Sequence, residues 1–102
     1  MRVPGNMQKM MQQAQKMQEQ LQQQIAEIRV EASTGGGMVT VRMDGHKNVL
    51  SIQIEEDALE DREMLQDMVR GAVNEAAKRV DDEAQGKMGG MLGGLGLPPG
   101  ML

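Results

Sequence analysis

The sequence has no cysteine and no aromatic residue at all. Without Cys there is neither a disulfide framework nor thiolate chemistry, as suits a reducing compartment. Without Phe, Tyr or Trp, any core must be built from Met, Leu, Ile, Val and Ala, and Met packs adaptably and specifies its partners weakly. There is one histidine, His46, and only four hydroxyl side chains, Ser33, Thr34, Thr40 and Ser51. No nucleophile–base pair emerges from so small a set, so an enzyme is not expected, and no cofactor, metal or small-molecule substrate is implied. No stretch approaches the ~18 apolar residues of a membrane span. Arg2 is followed by Val3-Pro4-Gly5-Asn6 and not by the apolar run of a signal peptide. A soluble, cytoplasmic protein with no membrane partner is the expectation.

What the chain does have is unevenly placed charge. The net charge is −4 over 102 residues. Residues 1–30 carry Arg2, Lys9, Lys16 and Arg29 against Glu19 and Glu27, whereas the remainder carries seven basic and thirteen acidic side chains. An acidic total does not announce nucleic-acid binding, so any contact with DNA must come from a local patch.

The longest uninterrupted pattern runs from Asn6 to Ile28. Met7, Met10, Ala14, Met17, Leu21 and Ile28 recur in steps of three and four, broken once by Gln24. This is a heptad seam, widened into a stripe by Met11 and Ile25. The intervening Gln, Lys and Glu residues are good helix formers, and Asn6 is the natural N-cap. Such a helix is about 34 Å long at 1.5 Å per residue.

The period then changes to two. Ile28, Val30 and Ala32 alternate with Arg29, Glu31 and Ser33, as in a half-buried strand. Thr34-Gly35-Gly36-Gly37 predicts a hairpin turn. Met38–Asp44 resumes the alternation, and Asp44-Gly45, extended by His46-Lys47-Asn48, predicts a second turn. Val49–Glu55 reads as a third strand with Leu50, Ile52 and Ile54 inward and Ser51 and Gln53 outward. Asp57-Ala58-Leu59-Glu60 has the spacing of a capping box, and Asp61 offers a second N-cap one turn later. A second helix is expected to about Gln85, striped by Leu65, Met68, Val69, Ala72, Val73, Ala76, Ala77 and Val80, with Gly86 as its C-cap. Gly71 in its middle costs about 1 kcal/mol relative to Ala, a cost that close packing would offset. From Met88 the chain reads Gly, Met, Leu and Pro only, and residues 88–102 are expected to form a disordered tail behind a domain of residues 1–87.

The order is α-β-β-β-α, an α+β fold of two long helices and a three-stranded antiparallel meander. Three strands span roughly 15 Å at the usual strand spacing, about half the length of the first helix. That helix must overhang, and its exposed seam predicts a homodimer, with Met7, Met10, Met11, Ala14, Met17 and Leu21 as candidate interface residues.

With Met7-Gln8-Lys9-Met10-Met11-Gln12-Gln13-Ala14-Gln15-Lys16-Met17-Gln18, Val39-Thr40-Val41-Arg42-Met43-Asp44-Gly45, Val49-Leu50-Ser51-Ile52-Gln53-Ile54, Glu63-Met64-Leu65-Gln66-Asp67-Met68-Val69, Asn74-Glu75-Ala76 and Leu97-Pro98-Pro99-Gly100 in this order and spacing, the chain resembles the YbaB/EbfC family of nucleoid-associated proteins. The resemblance spans nearly the whole chain. It implies a small cytoplasmic bacterial homodimer whose helices project like the arms of tweezers. It also implies binding to double-stranded DNA, chromosome organisation and an influence on transcription. The departures are the missing aromatics, the Met- and Gly-rich tail and the few cations of the first helix.

The candidate DNA contacts are Arg2, Lys9, Lys16, Lys78, Arg79 and Lys87, with Arg42 and Lys47 as weaker ones. Lys9 and Lys16 are seven apart and share a helix face. They read either as a row contacting phosphate or as the solvated flank of a coiled coil, and the residues alone favour the flank. For Lys78, Arg79 and Lys87, complementing the helix dipole is a sufficient account. Gln side chains can read adenine edges, and they are equally ordinary helix formers. His46 reads as a solvated turn residue, and Gly35-Gly36-Gly37 lacks the Lys and strand–helix setting of a phosphate loop. The alternative to a DNA-binding protein is a non-enzymatic adaptor whose Met-rich helices engage another protein, for instance in replication or repair.

Overall fold

The structure, a computed structural model, describes residues 5–93, and the side-chain surroundings of residues 5–90. The elements follow the expected order: α1 (Gly5–Ala26), β1 (Arg29–Thr34), β2 (Val39–Asp44), β3 (Val49–Ile54), a 3-10 turn (Glu56–Glu60) and α2 (Arg62–Gly93). The sheet is an antiparallel meander in the order β1-β2-β3. It pairs Ala32 with Val41 and Val41 with Ile52.

The core lies between this sheet and α2. Ile28, Val30 and Ala32, then Val39, Val41 and Met43, are buried against Met68, Ala72, Ala76 and Val80. The alternation in β1 and β2 supplies one side of the layer and the stripe of α2 the other. Small residues on α2 bring the layers close. A side-chain carbon at Gly71 would sit 3.4 Å from Thr34 Cγ2, and the Thr34 hydroxyl donates a 2.7 Å hydrogen bond to the Met68 carbonyl. The 3.4 Å separation is an ordinary van der Waals contact, so the packing itself does not require glycine at Gly71.

Five expectations are corrected. Leu50, Ile52 and Ile54 do not point into a covered core, because every residue of β3 is exposed. The reason is width. A helix is roughly 10 Å across and strands lie about 4.8 Å apart, so one helix roofs two strands. Accordingly α2 packs on β1 and β2, and Ile52 and Ile54 stay open beside the buried Val41 and Val39 they pair with. A register shift next to Arg42 sets Met43 opposite Val49 and leaves Leu50 as an extra residue.

The first helix stops at Ala26, and Ile28 belongs to the sheet core at 2% exposure. Burial of that large side chain draws the chain out of the helix. At its start the helix includes Gly5, and the Asn6 side chain accepts only the neighbouring Met7 N–H at 3.0 Å. The capping role falls to the second candidate of the α2 start: Asp61 Oδ1 accepts the Met64 N–H at 3.1 Å, whereas the 3-10 turn before it has no side-chain cap. Finally, α2 continues through Gly86 to Gly93. Gly86 is not among the glycines with positive φ, which among the described residues are Gly35, Gly36 and Gly37, so it does not form the left-handed C-cap. The expected tail therefore begins inside a helix, and residues 94–102 lie outside the described ones.

Candidate nucleic-acid interface

The seam of α1 decides what the helix can do. Its C-terminal half is partly covered: Met17, Leu21, Gln24 and Ile25 are half-buried, and Ile25 packs on the core. Residues 5–16 are all exposed, including Met7 at 51%, Met10 at 66% and Met11 at 58%. The helix joins the body where Ile25 meets the β2–β3 turn. Gly45 is required there, since any side-chain carbon would run into the Ile25 carbonyl. Lys47 of the same turn has φ 64° and pairs with Asp81 of α2 at 2.8 Å. At the other end of the sheet, Thr34 and Gly35 meet Met68. So α2 passes along the sheet from Met68 toward Asp81 and then leaves it beside α1, with which it packs.

The overall extents are 69 × 26 × 18 Å. A helix of 32 residues accounts for about 48 Å of that length. The remaining ~20 Å is α1 projecting beyond the end of α2. The overhang expected from the length mismatch is thus a free arm of a little over three turns, matching the fully exposed residues 5–16.

Charge is uneven along this axis: residues 5–16 of the arm carry cations only, whereas the arm's base, with Glu19, Glu27, Asp81, Asp82 and Glu83, and the sheet end are acidic. At the sheet end, residues 55–67 hold Glu55, Glu56, Asp57, Glu60, Asp61, Glu63 and Asp67 against Arg62 alone. On the arm, Lys9 and Lys16 stand two turns apart, about 10 Å, and both are exposed. Among the described residues neither enters an ion pair, nor does the exposed Lys78. The other candidates are differently placed. Lys87 is half-buried on the part of α2 that lies beyond the sheet. Arg79 donates a 2.5 Å hydrogen bond to the Glu31 carbonyl of β1 and lies 3.6 Å from Glu75. Arg42 pairs with Glu31 at 3.1 Å, and Lys47 with Asp81. Arg2 lies outside the described residues. The structure gathers Lys9 and Lys16 on the arm and does not bring Lys78 and Arg79 beside them.

Reasoning from sequence missed two features. Arg29 Nη1 donates to the carbonyls of Ala26 (2.9 Å) and Ile28 (2.7 Å), closing the C-terminus of α1. No signal in the sequence separates such a cap from an ordinary strand cation. The second is the open strip of β3, with Val49, Leu50, Ile52 and Ile54 at 41–51% exposure. On the outer sheet face, a shallow cleft of about 610 Å³ is bordered by Arg29, Glu31, Arg42, Leu50 and Ser51. Its two guanidinium groups are engaged as described, so it presents no converging free donors. In the β2–β3 turn, Asp44 accepts N–H bonds from His46 and Asn48, both at 2.9 Å, and the Asn48 side-chain amide at 3.0 Å. These bonds, that of the Asn48 backbone foremost, hold the Asp44 carboxyl below the usual carboxylate range.

An α-β-β-β-α chain with a one-sided sheet and a projecting, weakly cationic helical arm defines a small α+β protein whose outstanding feature is its arm. Residues 4–95 match the YbaB/EbfC DNA-binding family, and the chain belongs to that family. A nucleoid-associated protein of Acidobacterium capsulatum is 45% identical over 96% of this chain and 97% of its own length. One of Koribacter versatilis is 47% identical over 91% and 94%, and one of Xanthomonas euvesicatoria 43% identical over 95% and 94%. Among solved structures, an uncharacterized protein of Helicobacter pylori superposes with a TM-score of 0.74 at 25% identity, covering 89% of this chain and 99% of that one.

Proposed function

We propose that this protein binds double-stranded DNA as a homodimer, without catalytic activity, and takes part in organising the bacterial nucleoid and in gene regulation from the cytoplasm. Membership of a family named for DNA binding supports this, as do relatives named nucleoid-associated proteins. The observation that carries it is the arm. Lys9 and Lys16 are exposed and, among the described residues, unpaired on a helix that projects from the body, while the acidic residues 55–67 lie at the opposite end. A duplex is repelled from the sheet end and accepted at the arm end. Two arms of a dimer straddle it, holding phosphates more by geometry than by charge.

The surface that joins two copies is the strip on β3. Val49, Ile52 and Ile54, which pair with the buried Met43, Val41 and Val39, continue the buried face of β2 outward, and the strand is an edge with open backbone groups. The opposite edge is different: on β1, Arg79 already closes on the Glu31 carbonyl. A small core without aromatics gains from such a partner.

The test is binding of the full chain to a random duplex across a salt series, with mass measured alongside. Four arm lysines per dimer give a slope of about −3.6 in log K against log salt, or roughly 150-fold between 50 and 200 mM. Lys9→Glu with Lys16→Glu abolishes that dependence. Duplex affinity unchanged by the double variant at low salt refutes the arm contact. Absence of duplex binding by an intact dimer turns the reading to a protein-binding adaptor.

A further inference from the structure

The arm carries two faces built to one spacing. Met7, Met10, Met11 and Ala14 stand at i, i+3, i+4 and i+7, and so do Lys9, Gln12, Gln13 and Lys16. The second set is the first moved on by two residues, which turns it about 200° around the helix. The apolar face continues the line of Met17, Leu21 and Ile25, which are half-buried at the base of the arm. The polar face therefore looks away from the body of the protein. All four of its residues are exposed. Among the described residues, neither lysine enters an ion pair and neither glutamine amide has a hydrogen-bond partner.

Two amides between two cations suit a groove of duplex DNA. The major groove is about 12 Å wide and admits one helix. Residues 5–16 are exposed all round, so the arm brings no other element against the groove walls. Lys9 and Lys16 stand about 10 Å apart along the helix, with Gln12 and Gln13 midway. The long lysine stems reach outward to phosphates on the walls, while the shorter glutamines between them face the floor. A glutamine amide donates through its NH₂ group and accepts through its carbonyl oxygen. That pair matches the N7 acceptor and the N6 amino donor of adenine. Residues 5–16 contain no Arg to pair with guanine and no Asp or Glu to accept from cytosine. We propose that Gln12 and Gln13 read adenine in the major groove, with Lys9 and Lys16 fixing the arm on flanking phosphates. This rests on the arm binding duplex DNA and adds which base it selects.

The experiment measures binding of the full chain to three duplexes of equal length at low salt. One is rich in A·T pairs, one is rich in G·C pairs, and the third is the first with 7-deazaadenine in place of adenine. That base carries C–H where adenine has its N7 acceptor and still pairs with thymine. The parent is compared with a variant carrying Gln12→Ala and Gln13→Ala, shown folded by circular dichroism; alanine is a good helix former, so the arm keeps its helix. The parent is expected to favour the A·T duplex over both others by at least about fivefold, the least that one bidentate contact supplies. The double variant is expected to lose that preference and to keep the parent's salt slope, since both lysines remain. Equal binding of the parent to all three duplexes, with a steep salt slope, overturns the base reading and leaves the arm contact standing. A preference that the double variant retains also overturns it, because groove shape and not the amides then sets the choice. Absence of binding to any duplex removes the arm contact itself, and the base reading with it.

Discussion

Placing aspartate at Ile52 separates association from folding. In the single chain Ile52 is 45% exposed, beside Val41 at 0%. Complete burial of an aliphatic side chain is worth roughly 1.5–3 kcal/mol. The uncovered part of Ile52 therefore holds about 1 kcal/mol that only a partner can realise. A twofold interface contains the residue twice, so about 2 kcal/mol of association is lost, before any penalty for leaving a carboxylate at the interface. Ile52→Asp is expected to weaken the dimer by at least about thirtyfold. Ser51→Asp, one residue away and opposite Arg42, leaves the dimer intact. Sedimentation equilibrium over a dilution series reads both. Because Ile52 is half-covered within its own chain, Ile52→Asp also lowers the stability of the monomer, so each variant is first shown folded by circular dichroism. A folded Ile52→Asp protein that dimerises as tightly as the parent refutes the β3 interface. Weakening by Met10→Asp instead moves the interface to the seam of α1.

Two further outcomes test the local structure. Gly45→Ala is expected to cost about 1–3 kcal/mol in urea unfolding, because the methyl group displaces the Ile25 carbonyl where α1 joins the sheet. A neutral effect there overturns the docking of α1 on the turn. Asp44 supplies an acid-sensitive element. Its carboxyl is held low by the Asn48 backbone N–H first, by the Asn48 amide next, and by His46 as well. A depressed folded value means that the charged form is favoured by folding. Its stabilising contribution is then complete above the unfolded value near pH 4 and disappears as pH falls through the lower, folded value. Asp44→Ala is expected to flatten that part of the stability profile between pH 5 and 2, and an unchanged profile dismisses the turn as its source.

How far the fold could be read from sequence depends on which interactions are local. The element order and both turns were legible because periodicity and turn chemistry are properties of neighbouring residues: Gly35-Gly36-Gly37 at positive φ, Asp44 bonding to His46 and Asn48, and Asp61 capping α2. The overhang of α1 was also legible, since it is a comparison of lengths. The error at Leu50, Ile52 and Ile54 is of another kind. Alternation says which side chains share a face, but whether that face is covered depends on how wide a roof the rest of the chain can supply.

The candidate site divides along the same line. The lysines of α1 were found as an i, i+7 pair, which a helix places on one face by its own geometry. Charge in the sequence does not reveal which cations are already engaged. Arg79 reaches Glu31 across 48 positions, and Lys47 reaches Asp81 across 34 (81 − 47). Such pairings follow from α2 lying on β1 and beside the β2–β3 turn. The sequence alone determined an α-β-β-β-α chain, an arm longer than its sheet and the family to which the chain belongs. Only the tertiary structure decided that one helix roofs two strands and leaves the third open, and that the arm's lysines are exposed and unpaired among the described residues. The physical reason is that pattern is set by chemistry along the backbone, whereas cover and pairing are set by which distant surfaces come within a few ångströms.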